Sequence, residues 1–227
     1  MIVVGGGIIG SSIAYHLAHA GVNDVLLVER NVLTSGTTWH AAGLIANARG
    51  SIALTGLSQY GPELYSTLHA QTGIDVGLTT PGSISVARTA ARVDELTHAA
   101  DIAHHCGVRA EILSTEALGN LWPLASMDGV LAGLFFPDDG YVNPGYASIA
   151  MAQLASRSGA VIWEKVHVVE IVTNNGVIRG IRTPTGTIKA DVVVLASGLW
   201  SRDLAATSGA HLPLYAAEHV HVRTKPI

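Results

Sequence analysis

The sequence predicts an α/β fold, on three observations. A short β-branched run from Met1 to Val4 ends in Gly5-Gly6-Gly7, and Ile9, Ile13 and Leu17 then recur every four residues up to Gly21. A second apolar run, Val25 to Val28, is too short for a helix and closes on Glu29. Strand, tight turn, amphipathic helix with a glycine stop, and second strand together make a βαβ unit of about 30 residues.

The remaining elements follow in order. Leu54, Leu57, Gly61, Leu64 and Leu68 alternate steps of three and four, which puts one apolar stripe on a long helix ending near Gly73. Ser83 to Ala87 and Val130 to Phe136 read as strands on either side of a helix from about Ala91 to Cys106. No further glycine-rich turn follows them, so the chain is expected to make an excursion into a second, more antiparallel domain. Asn143-Pro144 supplies an N-cap and a proline at the first helical position, opening a helix with Tyr146, Ile149 and Leu154 inward. Val161 to Trp163 and Val166 to Val172 read as strands, and Val177 to Thr183 with Thr187 to Lys189 as a hairpin around Pro184-Thr185-Gly186. Val192 to Leu195 reads as a buried strand running into Gly198. The expected organisation is a discontinuous first domain over residues 1–75 and 141–210, interrupted by a second over 76–140, which residues 211–227 re-enter. The last residues, Thr224-Lys225-Pro226-Ile227, finish no element, so a chain cut short is expected.

Composition narrows the function classes. With 48% apolar and 13% charged residues, the chain suits a well-buried domain rather than a disordered one. The formal charge of −4, with Lys and Arg scattered singly, offers no basic stripe for nucleic acid. The most apolar stretch, Met1 to Ala20, is interrupted by His16, His19 and glycines, so it falls short of the roughly 20 apolar residues of a membrane span. It also lacks the basic start of a signal peptide. The single Cys106 reads as a small core hydrophobe and fits a reducing compartment, cytoplasmic or, in a eukaryote, the mitochondrial matrix. His98, His104 and His105 share no metal-ligand spacing and read as a solvated helix face, so no metal is expected.

The strongest local signal is Gly5-x-Gly7-x-x-Gly10 between strand and helix, with Glu29 closing the next strand. Gly5 permits the tight turn, Gly7 lets the backbone approach a pyrophosphate, and Gly10 lets helix and strand pack closely. The helix N-terminus offers N–H groups and a partial positive charge to phosphates, while the Glu29 carboxylate can accept hydrogen bonds from ribose hydroxyls. Pattern, context and acidic residue together predict a Rossmann-like dinucleotide-binding domain. Downstream residues favour FAD over a nicotinamide cofactor. Ser35-Gly36-Thr37-Thr38-Trp39-His40-Ala41-Ala42-Gly43 places small hydroxyl side chains beside the pyrophosphate end, and Ala196-Ser197-Gly198 supplies a second glycine turn after a strand.

Arg30 after Glu29, the Ser35 to Leu44 phrase, Phe136-Pro137-Asp138-Asp139-Gly140, Ala196-Ser197-Gly198-Leu199-Trp200-Ser201 and the Pro213 to Val222 segment resemble the D-amino-acid-oxidase-like superfamily of FAD-dependent oxidoreductases. Within it they look most like the sarcosine and dimethylglycine dehydrogenases, and Thr38-Trp39-His40-Ala41-Ala42-Gly43 is the most specific part. The resemblance implies a Rossmann-like FAD-binding domain with part of a mixed β substrate domain. It assigns the cofactor to Gly5, Gly7, Gly10, Glu29, Arg30, Ser35, Gly36, Thr37, Thr38, His40, Ala42, Gly43 and Leu44, with Val168 at the adenine end and Ala196, Ser197, Gly198 and Trp200 bordering the flavin. His40 would carry FAD covalently through the flavin 8α-methyl, a task open to a neutral imidazole held against the ring.

His219 aligns with a histidine that sits by the substrate in amine-oxidising relatives, where it would help keep the amine unprotonated. The implied reaction is oxidation of the N-methyl C–H of a small secondary or tertiary amine, with an electron acceptor of unknown identity. In many relatives tetrahydrofolate takes the one-carbon unit in a C-terminal domain for which this chain has no room. Two alternatives stay open. One is another flavoenzyme of the superfamily, an amino-acid oxidase or a glycerol-phosphate dehydrogenase, and the other is a non-catalytic regulatory flavoprotein.

Overall fold

The computed structural model of the protein describes residues 1–218 and Val220, which form two compact units. The first contains residues 1–39 and the chain from Met151 onward, and the second His40–Ala150. Both combine helices and sheets, and the fold is mixed α/β as the periodicities predict.

In the first unit, Ile2–Val4 lies between Val193–Leu195 and Leu26–Val28, and Val161–Trp163 pairs with the outer side of Leu26–Val28. All three pairings are parallel, with Ile2 opposite both Leu26 and Val193. Parallel neighbours require a crossover, which the helix Ile8–His19 supplies between the first two strands. A separate antiparallel sheet runs in the order Gly186–Lys189, Val177–Thr183, Glu170–Asn174. One core joins the two sheets: Ile2, Val4 and Val28 from the parallel strands meet Ile171 and Ile181 from the antiparallel ones, with Val168 and Leu204.

The second unit is built on an antiparallel sheet with Ala132–Phe136 between Ser83–Ala87 and Glu111–Leu113. The helix Ala90–His105 covers it, burying Leu96, Ala100 and Ala103 with Ala87, Val108, Ala110 and Leu134. His98, His104 and His105 are on its exposed side. The helix Ile52–Thr72 opens at Ser51, whose side chain accepts from the Leu54 amide at 3.3 Å, and closes at Gly73 in the left-handed conformation. Leu44–Ile45 pairs with Gly140–Tyr141. The helix Pro144–Arg157 starts as predicted, with the Asn143 side chain accepting from the Tyr146 amide at 3.1 Å.

The structure corrects five readings of detail. The helix Ile8–His19 buries Gly10, Ser11, Ala14, Tyr15 and Ala18, whereas Ile9 is 61% exposed. Its tight approach to the sheet favours small residues over the Ile9, Ile13, Leu17 stripe. In Pro144–Arg157 the inward face is Ala147, Ala150, Met151 and Leu154, and Tyr146 and Ile149 point outward. The predicted strand from Val166 begins only at Glu170, because the Val166 amide turns to the Glu29 carbonyl and the ladder with Val177–Thr183 is in register only from Glu170 onward. Val193–Leu195 is an edge strand and only half buried, not the buried strand expected. The Leu54, Leu57 end of the long helix is likewise exposed, with burial confined to Thr55, Leu64 and Leu68.

Candidate functional site

Four loops of the first unit enclose a cavity of about 740 Å³, within the roughly 300–1,000 Å³ of small-molecule and cofactor sites. Each follows the carboxyl end of a parallel strand, the position where open α/β sheets bind ligands.

The first loop is the glycine turn. The Gly5 amide donates to the Val28 carbonyl at 2.8 Å, and Gly5 has φ +113°. A Cβ there would lie 2.4 Å from the Ala196 carbonyl oxygen, and one on Gly10 would lie 1.8 Å from that of Gly5. Both contacts are with backbone, so neither position tolerates a side chain without main-chain movement. Gly5 and Gly7 line the cavity, while Gly10 lies behind them and sets the helix–strand distance. Gly7 also makes room for Thr38, whose buried hydroxyl accepts from the Ile8 amide at 2.9 Å. The start of the helix is therefore capped from a distant loop rather than by its own N-cap residue.

Glu29 begins the second loop and has a role that its position alone did not show. One carboxylate oxygen accepts from the Gly6 amide at 2.7 Å, and the other from the Asn31 amide at 2.8 Å and the Ser35 hydroxyl at 3.4 Å. The Gly6 carbonyl accepts in turn from the Thr34 amide at 2.8 Å. Gly6 is thus gripped on both sides by the segment that carries Ser35, Gly36, Thr37 and Thr38 into the cavity. Thr34 reaches this position with φ +69°, a conformation a β-branched residue rarely adopts.

The third loop is tied to the same place, since the Val166 amide donates to the Glu29 carbonyl at 2.8 Å. Val168 is buried in the core and lines the cavity, with His167 and Val169 beside it. The fourth loop starts where the Ala196 amide donates to the Val4 carbonyl at 2.8 Å, and brings Ala196, Ser197, Gly198 and Trp200 to the wall. The Ser197 and Ser201 hydroxyls lie 3.0 Å apart, and the Arg30 guanidinium carbon sits 4.3 Å from the centroid of the Trp200 ring.

Most of the cofactor residues expected from the sequence therefore share one cavity. His40, Ala42, Gly43 and Leu44 belong to the other unit. There Gly43, at φ +73°, abuts the Val142 carbonyl, and Leu44 is 78% exposed. His219 lies outside the described residues. Sequence reasoning missed Asn31, His167 and Asp203 in the lining. His167 adjoins the expected Val168, but no motif pointed to Asp203.

The Phe136-Pro137-Asp138-Asp139-Gly140 signature proves to be a brace within the second unit. Asp139 is buried and accepts from the Asn47 amide at 2.8 Å and the Ser83 hydroxyl at 2.6 Å. Asp138 makes a bidentate pair with Arg109, and the hydrogen bond from that guanidinium holds its carboxyl below the ordinary range.

A parallel sheet, a crevice at its carboxyl ends, a glycine cradle that any Cβ would fill and a strand-end carboxylate define a dinucleotide-binding protein, and the residues present fit FAD. The model of the FAD dependent oxidoreductase family, abbreviated DAO, matches residues 1–227, and the chain belongs to that family. It is 53% identical over 226 residues to 4-methylaminobutanoate oxidase (formaldehyde-forming) of Paenarthrobacter nicotinovorans, covering 100% of this chain and 27% of that protein. Mitochondrial dimethylglycine dehydrogenase of Rattus norvegicus is 36% identical over 226 residues, with 100% and 26% covered. The chain thus spans about a quarter of the length of these curated relatives. Among solved structures, L-proline dehydrogenase from P. horikoshii superposes with a TM-score of 0.84 at 27% identity, over 92% of this chain and 55% of that one. Among the described residues, no helix is long and apolar enough to cross a membrane.

Proposed function

We propose that the protein carrying this chain is an FAD-dependent oxidoreductase that removes the N-methyl group of a small amino carboxylate. The single observation that supports this best is the 53% identity, spanning the whole chain, to an enzyme named for oxidising 4-methylaminobutanoate with release of formaldehyde. Dimethylglycine dehydrogenase shares with it a substrate that is an N-methylated amine bearing a carboxylate.

FAD, when bound, would supply the hydride acceptor for oxidation of the N-methyl carbon, and water added to the resulting iminium would release formaldehyde and the demethylated amine. The chain's residues bind and orient. The cradle of Gly5, Gly7 and Gly10 and the start of the helix Ile8–His19 would hold the pyrophosphate, and Glu29 would hold the ribose with the lone pairs left by its backbone partners. Ser35 and Thr37 would offer hydroxyls to the phosphates. Val168 would offer backbone to the adenine, while Ala196, Ser197 and Gly198 would wall the far end. His40 is proposed as the point of covalent attachment, supported by the Thr38-Trp39-His40-Ala41-Ala42-Gly43 phrase, and His219 as the group that keeps the substrate amine unprotonated.

The test is anaerobic reduction of the flavin by 4-methylaminobutanoate, dimethylglycine, sarcosine, glycine and proline, with formaldehyde trapped. Bleaching by the N-methyl compounds with equimolar formaldehyde is expected. Bleaching by glycine or proline alone would identify an amino-acid oxidase instead, and bound flavin that no amine reduces would identify a regulatory flavoprotein. Denaturing mass spectrometry of the yellow protein checks attachment. A His40 peptide carrying the flavin mass is expected, and a bare polypeptide refutes the bond.

A further inference from the structure

Leu26–Val28 and Val193–Leu195 are not neighbours in the parallel sheet, because Ile2–Val4 lies between them. A residue just past one can meet a residue just past the other only over the end of the middle strand, where the Gly5–Gly7 turn sits. Arg30 and Trp200 do so. The guanidinium carbon lies 4.3 Å from the indole centroid, and both side chains line the cavity.

Each partner is held by its own loop. Arg30 is flanked by the Glu29 amide, which donates to the Trp163 carbonyl at 2.9 Å, and by the Asn31 amide on the Glu29 carboxylate. Trp200 ends a short 3-10 turn, its amide donating to the Ser197 carbonyl at 3.2 Å, beside the paired hydroxyls of Ser197 and Ser201. The ring also faces Gly36, where an added Cβ would lie 3.8 Å away. Two loops of the crevice, the second and the fourth, thus converge on one indole.

Resting on the dinucleotide reading above, we propose that Arg30 and Trp200 form a clasp across the mouth of the crevice. Because Arg30 follows the ribose carboxylate Glu29, its contact moves Trp200 from the flavin border implied by the resemblance to the ADP half, which the pair retains as positioning residues rather than contributing to the fold. The pair parts to admit the dinucleotide and re-forms over it. A partly exposed cation–π contact of this kind changes a rate by roughly two- to fivefold.

The test uses apoprotein from riboflavin-starved cells and radiolabelled ADP, chased with excess unlabelled ADP; this probe cannot form a flavin bond and keeps both ribose hydroxyls free for Glu29. Arg30→Met and Trp200→Leu are each expected to speed release two- to fivefold, and the double variant no more than the faster single one, because both remove the same contact. Arg30→Lys and Trp200→Phe, which keep a charge or a ring, should recover part of the retention. Melting temperatures without ligand should stay at the wild-type value. Unchanged or additive release rates overturn the clasp, as does a fall in melting temperature that parallels the rates. Failure of the wild-type apoprotein to bind ADP overturns the dinucleotide reading together with the clasp.

Discussion

Replacing Glu29 by Ala should weaken the protein and its dinucleotide site together. The sequence alone gave this carboxylate a ribose to bind, which predicts lost affinity in an intact fold. In the structure it already accepts from the Gly6 and Asn31 amides, at 2.7 and 2.8 Å. Hydrogen bonds to a charged group are worth about 1.5–3 kcal/mol each. Glu29 is half buried, so water can reach one orphaned amide, and the expected loss is about one bond's worth rather than two. For a chain of this size, 1.5–3 kcal/mol corresponds to a fall in melting temperature of roughly 3–12 °C. ADP affinity should drop by about ten- to a hundredfold through the lost ribose acceptor and the loosened glycine turn. Differential scanning fluorimetry with an ADP titration measures both. Glu29→Gln should fall between, because its amide oxygen can serve Gly6 while its NH2 faces the Asn31 donor. An unchanged melting temperature with reduced affinity would refute the brace and leave the ribose role, and no change in either would refute both.

Three further outcomes are expected. Thr38→Val removes the acceptor for the Ile8 amide and should cost about 1 kcal/mol in urea unfolding, while Thr38→Ser should keep it. Gly10→Ala drives a methyl against the Gly5 carbonyl and should abolish ADP binding and much of the soluble yield, whereas Gly36→Ala meets its nearest atom at 3.8 Å and should fold normally. Asp138→Asn tests a titration: Arg109 lowers the folded-state pKa of Asp138, so the pair's contribution is present above the ordinary carboxylate value of about 3.9 and is lost as pH falls through the lower folded one. The wild-type advantage in melting temperature should therefore be small and flat near neutrality, because both groups are exposed, should begin to shrink below about pH 4 and should vanish only below the lower folded value. A gap that widens as pH falls would contradict the assignment.

What was legible in the sequence and what was not divides by the distance over which the physics acts. The Gly5-x-Gly7-x-x-Gly10 turn could be read because its demand is local: a strand must reverse into a helix that touches it, and Gly10 abuts the Gly5 carbonyl five residues away. The stop at Gly73 and the cap at Asn143 were local too. Helix faces were harder. Counting large apolar residues selected Ile9 and Tyr146, but the helices approach their neighbours through Ala14, Ala18, Ala147 and Ala150, where closeness decides the contact. Val166 to Val169 has the composition of a strand, yet its amides go to the carbonyls of Glu29 and Arg182, partners that composition does not reveal. The same limit applies to the cavity wall. Thr38 caps a helix thirty residues before it, and the Ala196 carbonyl closes on Gly5 from the opposite end of the chain. Residues 196–198 could be recognised as a turn after a strand, but only the sheet order, which sets Val193–Leu195 beside Ile2–Val4, makes that turn the reason Gly5 must be glycine.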